Sequence, residues 1–483
     1  MIFTTKKLDP KYNNTSVFHL ALFSLNTAAA TLFLALMEYT TYFVNGVIGL
    51  AVVAASIVLT GLRIFDGLID PMVGYIVDQT KGRFGKFRPF MVIGNIMMAI
   101  STLSMFFFSK ELPKMLRLPV FVFLYIIFVI GYTFQMIVAK SGQTVMTNNP
   151  KIRPLSTYFD SLFTTSCYGG TALYVSYYLI RKYDSFTNEK LYQEFCISVV
   201  IISAFCTVLA LFGIWKKDNE KYYGDHAATK KIGIKEYATV LKKNKPIRML
   251  VIAAAINKFA AMVYSNITVG VMLFGIMMHN YDMYGQVGLV TAIPNLLVVS
   301  IGVLIAQRMG QKQAFTIFTW LAVLFQIFMT GVLLNNNLTS IGLTKFNLIS
   351  VAFFVIFILL NGCKAVSNNI VVPMIADCSD YEVYRSGLYV PGFMGALFSL
   401  VDQVISALGT AFVGVLVAII GFHNKLPQVD DVLTTQIKVV TIICYCIVPI
   451  LGWLASLYTM KHYELDKEKM REINHKRFHL HKK

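Results

Sequence analysis

Apolar stretches long enough to cross a bilayer recur along this 483-residue chain, and their recurrence limits the fold more than any single motif does. A membrane-spanning helix needs about 20 consecutive apolar residues. Twelve such stretches can be drawn, at 17–43, 47–77, 88–109, 117–147, 155–181, 191–215, 247–278, 283–307, 312–334, 345–375, 389–421 and 433–460. Several exceed the minimum, which implies tilt or helix that continues beyond the lipid. Composition agrees: 56% of residues are hydrophobic and 14% charged, with a mean hydropathy of +0.62. A water-soluble domain cannot hide that much apolar surface. An all-α membrane protein with twelve transmembrane helices is therefore expected.

The segment before the first span, Met1 to Ser16, is polar and carries Lys6, Lys7 and Lys11, and the span itself is too long for a cleaved leader. The net charge of +18 raises the question of nucleic acid. Its distribution answers no: basic residues gather in alternate loops and at both ends, as membrane topology demands. Lys81, Arg83, Lys86 and Arg88 follow the second span, Lys151 and Arg153 the fourth, and a lysine-rich segment the sixth. The connections after the first and seventh spans carry no Lys or Arg. Both termini are thus expected on the cytoplasmic side of the cell membrane. The seven cysteines sit in apolar runs without metal-ligand spacing and read as small hydrophobes.

The long polar interruption at 216–246 divides the chain into an N-terminal six-helix bundle (1–215) and a C-terminal one (247–460), followed by a basic tail (461–483). A weak repeat relates the halves. GYIVDQTKGRFGK, Gly74 to Lys86, follows the second span, and GVLIAQRMGQK, Gly302 to Lys312, follows the eighth. The first resembles the glycine–aspartate–basic loop of the major facilitator superfamily. Asp78 beside Arg83, Lys86 and Arg88 suits a cytoplasmic charge cluster that closes one side and breaks when the halves rock.

Asp66 and Asp70 lie one helical turn apart in the second span, RIFDGLIDP. Two anions that close repel in a low-dielectric site, so a cation or a shared proton is implied. Arg63, one turn earlier, suits the role of holding the pair when no ion is bound. A structural ion pair is the alternative, though ionisable groups inside spans are usually functional.

RIFDGLIDPMVGYIVDQTKGRFGKFRP, Arg63 to Pro89, resembles the span-2 signature of the glycoside–pentoside–hexuronide cation symporters. ADCSDYEVYRSG, Ala376 to Gly387, resembles their Asp-x-x-Asp-Tyr motif after span 10. The resemblance implies a major facilitator fold of two six-helix bundles, with Asp66 and Asp70 as cation-site carboxylates for Na⁺ or H⁺. Thr133 in GYTFQ matches the hydroxyl that completes that site. Arg63 matches an arginine beside the sugar and cation sites, and Asp377, Asp380 and Tyr381 match an inner-gate motif.

Several family positions differ. Ile69 stands where sodium users often carry Asn, which removes one oxygen and weakens the case for Na⁺. The span-1 carboxylate position falls at Asn26, the span-4 carboxylate at Met136, and the Trp after it at Lys140. A span-10 Trp falls at Asn368, and the span-11 lysine at Gln403. Lys140, Lys258 and Lys364 all lie within spans, where lysine is costly unless paired or facing substrate. Lost acidic positions and gained lysines suggest an anionic sugar: a uronide, glucuronide or sulfonated sugar. Asn26, Arg63, Lys140, Lys258, Lys364, Asn368 and Gln403 are the candidate substrate contacts. Pairing of the lysines with Asp160, Asp402 or Glu38 is the equal alternative.

The expected activity is cation-coupled symport of a sugar or glycoside by a monomer in the lipid bilayer, with no cofactor beyond the coupling ion. A carrier of a lysolipid or steroid-like conjugate is the second possibility. Enzymatic motifs are absent: no nucleotide loop, nucleophile motif or His/Glu metal pattern occurs.

Overall fold

The structure, a computed structural model, describes residues 15–80, 83–147, 153–219, 242–334, 338–343, 347–386, 391–470 and 472–473. Among them no strand occurs. The main helices are α1 (Val17–Glu38), α2 (Val52–Gln79), α3 (Arg88–Phe108), α4 (Lys114–Met146), α5 (Arg153–Leu173) and α6 (Glu189–Ile214). They are followed by α7 (Lys245–Tyr264), α8 (Asp282–Met309), α9 (Gln311–Leu333), α10 (Leu348–Ser386), α11 (Pro391–Ile419) and α12 (Thr435–Ile442). π-Helical segments extend α1 (Val44–Ile48), α5 (Tyr174–Leu179) and α7 (Val271–Met277), and α12 runs through Ile443–Ile447 into Val448–Lys461.

Nine stretches among the described residues are long and apolar enough to cross a membrane, or ten if Asp282–Gly288 and Ile293–Ala306 form one bent span. Twelve were expected. α2 and α5 are outside the nine; in α5, Ser156, Thr157, Ser161, Thr164, Thr165 and Ser166 dilute the apolar run. Pro119, Pro294 and Pro373 sit inside helices, as membrane helices tolerate when neighbours satisfy the freed carbonyls.

The chain divides into two compact units: Met1–Leu50 with Phe65–Thr229, and Ala51–Ile64 with Lys230–Lys483. In the first, α1 packs on α6 and α5, and α3 on α4. The α3–α4 crossing is tight. A Cβ on Gly94 would meet the Gly131 carbonyl oxygen at 2.7 Å, so only glycine lets the backbones approach this closely. Leu20, Phe23, Val73, Phe87, Met91, Val138 and Ile214 form a buried cluster that ties α1, α2, α3, α4 and α6 together at one end of the unit. In the second unit α9 packs on α10, and α7 on α12 and α11. The first part of α2 packs here too: Val52 N–H donates to the His423 carbonyl at 3.0 Å, and Thr60 Oγ1 to that of Ala407 at 3.2 Å.

Candidate cation and substrate site

α2 presents Asp66 and Asp70 on one face, because side chains four residues apart stack along a helix. Thr133 reaches both from α4. Its Oγ1 lies 3.2 Å from Asp70 Oδ1 and 3.4 Å from Asp66 Oδ1. The aspartates are half-buried, while Thr133 is 1% exposed. A single hydroxyl proton serves one carboxylate at a time, so Thr133 bridges two acceptors that repel when both are ionised. The position of Thr133 follows from the close crossing: Gly131, two residues earlier, has room for no Cβ against the Gly94 carbonyl at 2.8 Å. The three converging side chains offer oxygen donors, which suit a hard cation or a proton rather than a soft metal. Among the described residues no group of three or more His, Cys, Asp or Glu side chains gathers for a metal. The Arg63 side chain lies outside the described residues.

The remaining candidates of the first unit are placed differently. Asn26 is fully buried in helix packing, its Nδ2 donating to the Gln135 backbone carbonyl at 2.9 Å. That bond ties α1 to α4, while the buried Asn26 Oδ1 accepts no hydrogen bond among the described residues. Lys140 is exposed on α4, with no ion pair among the described residues.

In the second unit a polar strip runs between α7, α10 and α11. Asn257 Nδ2 donates to Asn368 Oδ1 at 3.1 Å, and Asn368 is exposed. Lys258 Nζ lies 2.9 Å from Asp402 Oδ1. For Lys258 the pairing alternative is therefore what the fold contains: its charge is met by a neighbour next to Gln403, so it is not a free receptor for an anion. Gln403 is itself half-buried. Lys364, one turn before Asn368 on α10, has no carboxylate within ion-pair distance among the described residues. Its Nζ sits 3.2 Å above the Tyr264 ring centroid and donates to Asn361 Oδ1 at 3.2 Å. Tyr264 is itself fixed: its ring stacks on Tyr445 at 4.3 Å between centroids, and the two hydroxyls lie 2.8 Å apart. A ring face attracts an ammonium but does not neutralise it.

The basic cluster between α2 and α3 has an acidic member that the sequence reading did not single out. Arg88 pairs with Asp218, Nε to Oδ2 at 3.3 Å, and stacks on Trp215. The Asp218 carboxylate is fully buried and also accepts from the backbone N–H groups of Lys86, Phe87 and Arg88 at 2.9–3.2 Å. It thereby caps the N-terminus of α3, where unsatisfied amides and the helix dipole both favour an anion. The Asp78 side chain lies outside the described residues, and Arg83 is exposed. Asp218 was overlooked because it sits in a basic run, KKDNEK, that reads as loop; as the acid nearest the end of α6 in that run, it was the available signal. On α10, Asp377 and Tyr381 are half-buried, and the Asp380 side chain lies outside the described residues.

A family model described as MFS/sugar transport protein matches residues 22–467. An uncharacterized symporter, YnaJ of Bacillus subtilis (strain 168), is 23% identical over 90% of this chain and 89% of its own. The glucuronide carrier protein homolog of Escherichia coli (strain K12) is 22% identical over 93% of this chain and 91% of its own. Among solved structures, a D-xylose–proton symporter superposes with a TM-score of 0.61 at 15% identity, over 93% of this chain and 98% of that one. The fold is of the major facilitator type, and the relatives are membrane transporters rather than enzymes.

Proposed function

Because the chain belongs to the MFS/sugar transport protein family, we propose that it is a symporter that couples downhill entry of Na⁺ or H⁺ to uphill movement of an acidic sugar or glycoside. The observation that carries this reading is the Thr133 hydroxyl within reach of both Asp66 and Asp70. Ile69 adds no oxygen to that set, which favours H⁺. The acidic substrate rests on Lys364, a cation inside a helix bundle whose described neighbours are a ring face and an amide rather than a carboxylate. Asn368, one turn away, and Gln403 are suited to sugar hydroxyls. A relative named for glucuronide is consistent with such a substrate. Nothing among these relatives favours an amphiphile cargo. The protein acts as a monomer in the cell membrane with both termini cytoplasmic, and the Arg88–Asp218 clasp, with Asp377, Asp380 and Tyr381, belongs to the cytoplasmic gating apparatus.

The test is uptake into proteoliposomes of neutral and acidic glycosides, under imposed Na⁺ or H⁺ gradients. The Asp66→Asn/Asp70→Asn variant should lose uphill accumulation while retaining exchange. Accumulation by that variant against a gradient would overturn the symport mechanism.

A further inference from the structure

Asp160 is a carboxylate within the first unit that the cation pair does not use. It lies on α5, half-buried, between α1 and α4. Thr27 Oγ1 donates to its Oδ1 at 3.0 Å, and Gln143 Nε2 to its Oδ2 at 2.6 Å. Ser24, one turn before Thr27 and 1% exposed, lies beside it, yet its Oγ makes no hydrogen bond of good geometry. Every polar group turned toward Asp160 from α1 and α4 is therefore neutral. No Lys, Arg or His reaches ion-pair distance among the described residues. The nearest base along α4 is Lys140, one turn before Gln143 and exposed. On α1 the titratable residues, His19 and Glu38, stand near its two ends. On α5 itself, Tyr158 is exposed and Cys167 lies farther along.

An ionised carboxylate in a span is normally held by a cation or a metal. Gln143 here turns its amide nitrogen toward Asp160, so its oxygen is not offered to a metal ion. A proton fits the arrangement. Both carboxylate oxygens already accept one bond, and a protonated Asp160 gains an O–H that needs an acceptor. The unpartnered Ser24 Oγ supplies one.

We propose that Asp160 is a proton-binding site distinct from the Asp66/Asp70/Thr133 site, with Ser24 as the acceptor of its carboxyl proton and Thr27 and Gln143 as its fixed donors. The site stands whether or not the cation pair drives symport.

Infrared titration of the purified full-length protein in liposomes tests it with the proton itself as probe. Near neutral pH the wild type should show the carbonyl stretch of a protonated carboxyl, shifted by deuterium oxide. That band should persist in Asp66→Asn/Asp70→Asn and vanish in Asp160→Asn. Ser24→Ala, which leaves the carboxyl in place, should move it to higher wavenumber, and this readout decides the matter if Asp160→Asn fails to fold. No such band near neutral pH, a band undiminished in folded Asp160→Asn, or one unshifted in Ser24→Ala would overturn the assignment. Loss of the band in the Asp66/Asp70 variant would assign it to the cation pair instead.

Discussion

At the residue scale the proposed cation site depends on one hydroxyl. Thr133 is the side chain that touches both aspartates, so Thr133→Val should remove it without emptying the space. A lost hydrogen bond to a charged group is worth about 1.5–3 kcal/mol, so the apparent affinity for the coupling ion should fall roughly tenfold or more. Cation titration of uptake or of thermal stability measures it, and unchanged affinity would remove Thr133 from the site. Gly85 makes an equally sharp demand. It holds φ +89°, and a Cβ there would meet Asp218 Oδ2 at 2.2 Å. Gly85→Ala combines backbone strain of about 1–3 kcal/mol with displacement of the buried carboxylate. A clear drop in melting temperature in detergent is expected. A neutral outcome would mean that the turn relaxes.

At the element scale, the start of α3 is held by a residue from beyond the end of α6. Asp218→Ala should leave the amides of Lys86, Phe87 and Arg88 without their acceptor, at about 1–3 kcal/mol for each buried donor left unpaired. Hydrogen exchange should then rise in the first turn of α3 and not in α4. Asp218→Asn keeps an acceptor and should lose less. α10 carries the second element-scale prediction. Lys364, Asn361 and Asn368 share one face of it, and Lys364→Ala should weaken an acidic glycoside roughly tenfold more than its neutral analogue. Lys258→Ala, whose partner is Asp402, should discriminate between the two far less. Equal losses for both glycosides in the Lys364 variant would sink the acidic-substrate reading.

At the scale of the whole molecule, coupling is reciprocal: if cation raises sugar affinity by some factor, sugar must raise cation affinity by the same factor. Paired binding titrations of wild-type protein measure that factor, and a factor of one would show that the two ligands are not coupled. Much of the fold was legible from the chain alone, because a bilayer accepts few ways of satisfying a backbone and each helix announces itself by local length and apolarity. The acidic pair on α2 was legible for the same local reason, since four-residue spacing sets a shared helix face. Local pattern left substrate contact and pairing with a carboxylate as equal alternatives for the three lysines in spans, because it does not say which helices are neighbours. Lys258 has a carboxylate on a neighbouring helix that no spacing reveals, while among the described residues Lys364 has none within ion-pair distance.

Composition and periodicity by themselves therefore determined that the chain is a helical membrane protein with a pair of carboxylates on one helix face, because those features are written in consecutive residues. Only the tertiary structure decided which charges meet. Asp218 at the foot of α3, Asp402 on Lys258, Tyr264 beneath Lys364 and neutral donors around Asp160 are each set by how separate helices pack. In a low-dielectric interior, partners a few ångströms apart outweigh anything a residue's own neighbours in sequence contribute.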